Sequence, residues 1–259
     1  MSRVDTARKG YLKNDVEAVK KAHHPEAIHS SIHHDEAHLT SFNLPEIILG
    51  GQDGLVNVLG IILGMAAATV SSQIVIIAGL AATFAESISM GAVAYTSHLA
   101  EADYYQSELE REKYEIKHVP EGEKEEIRAL YENYGFTGKV LEEIVNKITA
   151  DEKTWLKVMM EQELKLEKID RKEAWPKAII VFISAFAGSL IPLIPFLLLP
   201  VKTAMLISLV VSALVLFYVG FYKAKMTLGR NFLKHGIEMA LIGMASAFVG
   251  YLVGTILKI

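Results

Sequence analysis

Five long apolar runs constrain this chain more than any other feature of its sequence. They cover about residues 44–68, 74–97, 178–199, 201–222 and 237–257. A helix needs about 20 residues to cross the hydrocarbon core of a bilayer. No stretch alternates apolar and polar residues with the period of a β-strand. The sequence therefore predicts an all-α membrane protein with five transmembrane helices.

Charged residues are concentrated between the second and third apolar runs. Residues 101–173 contain 20 of the 30 acidic and 13 of the 26 basic residues. Breaks around Pro120 and Gly135 divide this stretch into predicted helices at about 101–117, 124–134, 137–149 and 152–170. We therefore expect an acidic helical domain, residues 98–174, inserted between transmembrane regions 44–97 and 175–259. Residues 1–43 form a polar, histidine-rich tail.

The positions of lysine and arginine predict the orientation in the membrane. Basic residues are frequent in the N-terminal tail and between the fourth and fifth runs, and scarce in the other short links. Basic flanks usually stay in the cytoplasm. We expect the N-terminus and the acidic domain to be cytoplasmic and the C-terminus to be outside. The membrane would be the plasma membrane in a prokaryote and the vacuolar membrane otherwise.

Composition and missing motifs exclude several classes of function. The chain has no cysteine, which excludes disulfides, thiolate zinc sites and cysteine nucleophiles. About forty polar residues precede the first apolar run, so no cleavable signal peptide is expected. The net charge of −4, without a basic patch, indicates no nucleic-acid partner. No catalytic motif is present, and we expect a protein that is not an enzyme and has no prosthetic group.

Two acidic residues lie well inside the apolar runs, where an ionisable group is costly and is usually functional. They are Asp53 in the first run and Glu86 in the second. Glu46 precedes Asp53 by two helical turns and shares its face, while Met90 follows Glu86 by one turn. Carboxylate and thioether together suit a divalent transition ion. The alternatives are a polar pair satisfied between helices and, for Met90, ordinary apolar packing.

The acidic domain presents carboxylates and thioethers at helical spacing. The candidates occupy three predicted helices: Glu108, Glu112 and Glu115; Glu123 and Glu126; Met159, Met160 and Glu163. Faces of this kind can converge on metal ions, because crowded carboxylates require cations near them. The alternative is that these are solvated faces paired with lysines such as Lys113, Lys124 and Lys165.

Two further patterns have both a simple and a functional interpretation. The histidine pairs His29/His33 and His34/His38 have the spacing of a chelate if the tail is helical, and otherwise belong to an inert tail. Small residues recur four apart at Gly60/Gly64, Gly243/Ala247 and Gly250/Gly254. They indicate close packing between helices in the membrane or, alternatively, a dimer interface.

Five motifs in order resemble the vacuolar iron transporter family. They are Gly51-Gln52-Asp53-Gly54-Leu55, the stretch from Ala78-Gly79-Leu80-Ala81 to Ile88-Ser89-Met90-Gly91, Glu101-Ala102-Asp103-Tyr104-Tyr105, Met159-Met160-Glu161-Gln162-Glu163-Leu164 and Leu190-Ile191-Pro192-Leu193-Ile194-Pro195. The resemblance runs from about Pro45 to the C-terminus.

This resemblance implies a homodimer that exports ferrous iron from the cytosol in exchange for protons. It implies a pathway through Asp53 and Met90, with Glu46 before them. It also implies metal binding in the cytoplasmic domain by Glu112, Glu115, Glu123, Glu126, Met159, Met160 and Glu163.

The chain departs from the family pattern in the second transmembrane helix. Many relatives carry a glutamate directly after Ala-Gly-Leu-Ala, where this chain has Ala82, and here the acid is Glu86, one turn further on. Two alternatives to iron export remain. One is a manganese exporter of the same mechanism, and the other is a membrane-tethered metal buffer or sensor that moves no ions.

Overall fold

A computed structural model describes residues 3–25, 27, 43–226 and 231–257. Every regular element in these ranges is helical. The helices are α1 (Arg3–Lys13), α2 (Val16–Ala22), α3 (Leu44–Ala68), α4 (Ser72–His118), α5 (Pro120–Asn133), α6 (Gly138–Thr149), α7 (Glu152–Val158), a π-helical turn (Met159–Glu163), a 3-10 turn (Arg171–Glu173), α8 (Ala174–Leu198), α9 (Val201–Met226) and α10 (Phe232–Ile256).

Five of the described helices are long and apolar enough to cross a membrane, namely α3, α4, α8, α9 and α10. This confirms the predicted all-helical class and the number of spans. The 47-residue helix α4 also confirms that the second apolar run continues without a break into the acidic segment. The histidine pairs at 29/33 and 34/38 lie outside the described residues.

The chain divides into two compact units. The span unit comprises the described residues up to Ala92 and those from Lys177 onward, and the acidic unit comprises Val93–Pro176. Each unit has its own apolar core. In the span unit, one buried cluster combines residues of α3, α4, α8 and α9, among them Ile62, Val75, Leu193 and Ala204.

Glycine contacts bring α3 close to two neighbouring helices of the span unit. A Cβ atom added at Gly250 of α10 would collide with the carbonyl oxygen of Gly60, and one at Gly254 with that of Gly64. On the other side, a Cβ added at Gly188 of α8 would collide with the carbonyl oxygen of Gly51. Close backbone approach of this kind lets helices associate in lipid. The predicted packing role of the small residues is thus found within one chain.

The acidic unit is held by apolar side chains from α4, α5, α6, α7 and the π-helical turn. Its buried cluster is made of Ile116, Ile127, Leu141, Val145, Ile148, Trp155, Val158 and Met159. Gly135, with a φ of 90°, follows α5 and gives the left-handed turn expected of a helix C-terminus. Thr137 precedes α6 at its N-cap position. Both features agree with the predicted helix boundaries.

Two predicted boundaries in the acidic unit are wrong. The residues Pro120-Glu121-Gly122 do not separate two helices, because all three belong to α5. The break lies at Val119, and Pro120 occupies the first turn of α5, where its missing N–H costs nothing. The helix predicted for 152–170 ends early, because Met159–Glu163 form a π-helical turn and Leu164 N–H donates to Met159 O at 2.9 Å. Lys165 then has a φ of 55°, which does not continue a helix.

Replacing Gly250 by leucine should separate α3 from α10. The new side chain meets main-chain atoms of Gly60, which no change of rotamer can relieve, and overpacking of this kind costs about 1–3 kcal/mol. We expect a lower midpoint of thermal unfolding for the detergent-purified chain. Val249→Leu is the control, because Val249 is exposed. An unchanged midpoint for Gly250→Leu would contradict this packing.

Candidate metal centre and intramembrane acids

The two intramembrane acids face each other across α3 and α4. Asp53 lies on α3 and interacts with the side chains of Glu86 and Asn57. Asn57, one turn after Asp53, donates a hydrogen bond from Nδ2 to Glu86 Oε1 at 2.9 Å. All three side chains are partly buried. The structure therefore brings two of the predicted pathway residues together and adds an amide that the sequence analysis did not single out.

The other two predicted pathway residues flank this pair along the helices. Glu46 precedes Asp53 by seven residues of α3, which corresponds to about 10 Å of rise. Met90 follows Glu86 by one turn of α4, or about 6 Å. Both side chains are partly buried. The predicted residues thus follow one another along two adjacent helices, and their role in a pathway stays a prediction.

A cavity of about 860 Å³ borders Glu86, one member of the acid pair, within the span unit. Glu86 and Asn57 line one part of it. Ser246, glycines and apolar side chains of α3 and α10 line the rest, as far as Ala68 and Leu257. The carboxylate of Glu86 is therefore accessible to an ion or to water from this cavity. Helices α3 and α10, which approach each other closely at their glycines, form the wall of this cavity.

Three glutamates of the acidic unit form a candidate metal centre. One carboxylate oxygen from each of Glu112, Glu115 and Glu123 lies within 4.8 Å of the others. Helix α4 supplies the first two and α5 supplies the third. Glu112 and Glu123 are buried, at 1% and 4% exposure. In each of these two, Oε2 is buried and has no hydrogen-bond partner among the described residues. Buried, unpaired carboxylate oxygens are suitable ligands for a divalent cation.

The remaining predicted acids act on this centre through their charge, whereas the two predicted methionines are buried. The charge of Glu126 acts on Glu112, Glu123 and Glu163. Met160 is buried in the π-helical turn that also contains Glu163. Met159 is fully buried and packs in the apolar cluster of the unit. A π-helical turn changes the direction of its side chains and is frequent at functional sites.

Arg111 is the counter-charge of the acidic centre. Its Nη2 lies 2.7 Å from Glu112 Oε1 and 2.9 Å from Glu108 Oε2, and its Nη1 pairs with Glu115. Of the lysines considered as partners from the sequence, Lys124 pairs with Glu121. Arg111 is 44% exposed, so it partly neutralises the cluster from the solvent side.

Burial and neighbouring acids raise the pKa of Glu123 to about 7. Desolvation is the largest cause, followed by the negative charges of Glu112 and Glu126. Desolvation and Glu126 also raise the pKa of Glu163. An acid whose pKa is high for these reasons gains from a nearby cation, because the cation compensates for both the lost water and the repulsion.

Comparison with known proteins decides the family. A model of the VIT family matches residues 44–255, which is most of the chain. The chain belongs to the VIT family. The resemblance found in the sequence motifs is confirmed. The match begins at the first residue of α3 and ends next to the last residue of α10, so it includes both units.

Relatives of this VIT-family chain match it over most of both lengths. Vacuolar iron transporter 1 of Oryza sativa subsp. japonica is 36% identical over 227 residues, covering 87% of this chain and 90% of that protein. The protein of the same name from Arabidopsis thaliana is 34% identical over 228 residues, with coverages of 87% and 91%. The vacuolar iron transporter of Plasmodium falciparum (isolate 3D7) is 33% identical over 263 residues, with coverages of 97% and 95%.

Sequence analysis missed two residues of these sites. Asn57 follows Asp53 by four positions, so helical spacing alone places it on the same face. Its partner Glu86 lies 29 residues away, and only the packing of α3 on α4 reveals the contact. Arg111 stands between Glu108 and Glu115 in the acidic stripe, and i, i+3 and i, i+4 spacing was the signal for it.

Metal binding by the acidic unit should weaken as the pH falls below 7. Glu123 holds its proton up to about pH 7 in the folded protein, whereas an ordinary glutamate loses it near 4.5. The contribution of Glu123 to the free energy of unfolding therefore falls as the pH rises from about 4.5 to about 7, and a bound cation would offset that loss. Below pH 7 the metal must displace the proton, which lowers the affinity about tenfold per pH unit for one proton.

Calorimetric titration of Mn²⁺ into the full chain carrying Asp53→Asn, at pH 6, 7 and 8, measures this dependence. Glu123→Gln should bind weakly at every pH. Glu142→Gln is the matched control, since Glu142 pairs with Arg128 instead of the centre. Equal affinity of the reference chain at pH 6 and pH 8 would be inconsistent with Glu123 as a ligand.

Removing the charge of Arg111 should tighten metal binding at pH 8, where the carboxylates are ionised. The guanidinium repels a cation bound at Glu112 and Glu115. An exposed charge contributes about 0.5–1 kcal/mol, so we expect Arg111→Gln to bind Mn²⁺ about two- to fivefold more tightly in the same titration. Arg128→Gln removes an arginine that pairs outside the centre and should leave the affinity unchanged. Weaker binding by Arg111→Gln would show that the arginine organises the ligands.

Proposed function

We propose that this chain is a metal transporter that exports ferrous iron from the cytosol in exchange for protons. The observation that carries the proposal is the pair of carboxylates, Asp53 and Glu86, contributed by two adjacent helices of membrane-spanning length. Two acids at this depth are costly without a function. The relatives named above are called iron transporters, which supports the same cargo.

In the proposed cycle, the acidic unit faces the cytoplasm and concentrates the ion. Glu112, Glu115 and Glu123 bind it first, with Glu126, Glu163, Met159 and Met160 around them. The ion then passes Glu46 and reaches Asp53, Glu86 and Met90. A proton arriving from the opposite side competes with the metal for the same carboxylate oxygens, so proton binding would release the ion. The functional unit would be a homodimer in the lipid bilayer.

The proposed orientation follows the distribution of basic residues. Helix α9 has Lys223 and Lys225 in its last turn, whereas the link between α3 and α4 has no basic residue. The end of α9 would therefore be cytoplasmic and the link between α3 and α4 would be outside. In this arrangement the cavity beside Glu86, which extends to Ala68 and Leu257, leads towards the outer side.

Manganese is the second candidate cargo, because the described centre consists mainly of oxygen ligands. Carboxylates accept Mn²⁺ and Fe²⁺ alike, and only the thioethers favour the softer ion. A membrane-tethered buffer or sensor would need the acidic unit but not the intramembrane acids. Competition between the two ions during transport decides the cargo, and the presence of flux decides between a transporter and a buffer.

Asp53→Asn should abolish transport while preserving metal binding by the acidic unit. The exchange keeps the shape of the side chain and removes the charge that would bind the ion, so we expect initial rates at least about 100-fold lower. The measurement is Fe²⁺ uptake under reducing conditions into proteoliposomes with an acidic interior. Glu110→Gln, an exposed acid outside the centre, should transport normally. Flux at the native rate by Asp53→Asn would refute this pathway.

A further inference from the structure

We propose that Asn57 is a positioning residue of the intramembrane metal site, acting through Glu86. Its side-chain amide would hold the Glu86 carboxylate beside Asp53, so that both acids offer oxygen atoms to one ion. This inference rests on the proposed function, because it assigns a role within the same site. The observation behind it is the contact that joins α3 to α4 at the level of the two acids.

The position of Asn57 lets one amide serve both acids. It lies one turn after Asp53 on the same face of α3 and interacts with the Asp53 side chain. Its Nδ2 also donates to Glu86 Oε1 across the helix interface. A primary amide has two N–H donors, so one group can direct two carboxylates. Glu86 also interacts with the side chain of Asp53, so the amide and the two carboxyl groups are in contact with one another.

The polar side chains next to Glu86 on its own helix do not hold it. Thr83 Oγ1 donates to Gly79 O at 2.8 Å and Ser87 Oγ donates to Thr83 O at 2.6 Å. Both hydroxyl protons are thus used within α4. One turn before Glu86, Ala82 packs on the apolar cluster of the span unit. The amide of Asn57 therefore contributes a neutral donor to the orientation of Glu86, beside the contact between Glu86 and Asp53.

The choice of an amide has an electrostatic reason. Lysine or arginine in this place would neutralise the acids permanently and would occupy the position of the transported cation. An amide satisfies one carboxylate oxygen and adds no charge, so the site keeps the negative charge that attracts a divalent ion. A glutamate has three rotatable side-chain bonds, and the hydrogen bond removes much of that freedom before the ion arrives.

The contact also lies where an ion could reach it. Asn57 and Glu86 both line the cavity of about 860 Å³ between α3 and α10. Ser246 of α10 lines the same cavity, and its hydroxyl group is 3.4 Å from Val56 O. Ser246 is a polar lining residue without a described bond to either acid, and it therefore provides the matched control.

The test compares Asn57→Leu, Asn57→Asp and Ser246→Ala in the Fe²⁺ transport assay. Asn57→Leu removes the donor and puts an apolar side chain of similar size in the membrane. We expect its KM for Fe²⁺ to rise about tenfold or more, as expected for a lost hydrogen bond to a charged group, with a smaller change in kcat. Ser246→Ala should transport as the unmodified chain does. A normal KM for Asn57→Leu would overturn the proposal.

Asn57→Asp separates positioning from direct binding of the metal. Aspartate keeps an oxygen atom at this position and loses the amide donor. If Asn57 orients Glu86, Asn57→Asp should also raise the KM. If transport survives in Asn57→Asp and fails in Asn57→Leu, residue 57 is itself an oxygen ligand and the positioning role is wrong.

A double-substitution cycle tests whether Asn57 acts through Glu86. In a chain that already carries Glu86→Gln, adding Asn57→Leu should change the Co²⁺ affinity of the intramembrane site less than twofold, because the carboxylate that the amide positions is already gone. If the two substitutions had independent effects, whose factors multiply in the double variant, Asn57 would not act through Glu86. Unfolding midpoints of the purified variants in detergent control for folding. The Co²⁺ affinity is measured from absorption spectra of chains that also carry Glu112→Gln and Glu123→Gln, which weaken the centre of the acidic unit.

The transport assay separates a refutation of the positioning role from a refutation of the proposed function. If the unmodified chain moves no metal, the transport proposal fails for reasons unrelated to Asn57. If the unmodified chain transports in a manner that depends on Asp53, and Asn57→Leu is normal, then only the positioning role is refuted.

Discussion

The cost of a carboxylate in lipid is the constraint on which the rest of this structure depends. Asp53 and Glu86 lie in helices that are otherwise apolar, and water is not available to solvate them from the hydrocarbon side. Neither acid faces lipid alone, because α3 and α4 bring the two together with Asn57. The position of α3 therefore determines where Asp53 and Asn57 meet Glu86. Glycines on two of its sides let α8 and α10 approach its backbone. This close packing holds in place the helix that carries Asp53 and Asn57, and no large side chain separates the backbones at these contacts.

Much of the fold was predictable because long apolar runs and helix breakers act locally. The first span was predicted at residues 44–68, and α3 has those bounds. The continuous α4 was predictable because no breaker separates Glu101 from Lys117. The end of the helix predicted for 152–170 was not predictable, since no proline or glycine marks the π-helical turn at Met159–Glu163 or the residues up to Asp170. The break at Val119 was misplaced because proline both ends helices and begins them.

The candidate sites were predictable in their residue types and less so in their partners. Helical spacing placed Glu112 and Glu115 on one stripe, and the structure adds Glu123 from the next helix within 4.8 Å. Spacing could not rank the methionines, of which Met159 packs in the apolar core. Asn57 was missed because its significance depends on Glu86, which is distant in sequence. The contact between Asn57 and Glu86 also bears on the departure from the family pattern, in which many relatives carry a glutamate where this chain has Ala82. Residue 82 packs on an apolar cluster, whereas residue 86 meets a hydrogen-bond donor.

The two acidic sites balance their charge in different ways, and the difference follows from their surroundings. In the acidic unit a partly exposed arginine offsets the charge of Glu112 and Glu115. Water would solvate that partly exposed guanidinium if a cation displaced it, so a counter-charge of this kind is compatible with reversible binding. Within the membrane a displaced arginine would have no such solvent, and its pairing with the acids would be difficult to reverse. A neutral amide avoids this problem, because it satisfies a carboxylate oxygen and leaves the charge for the ion. The same residue type, glutamate, is therefore paired with arginine in one unit and with asparagine in the other.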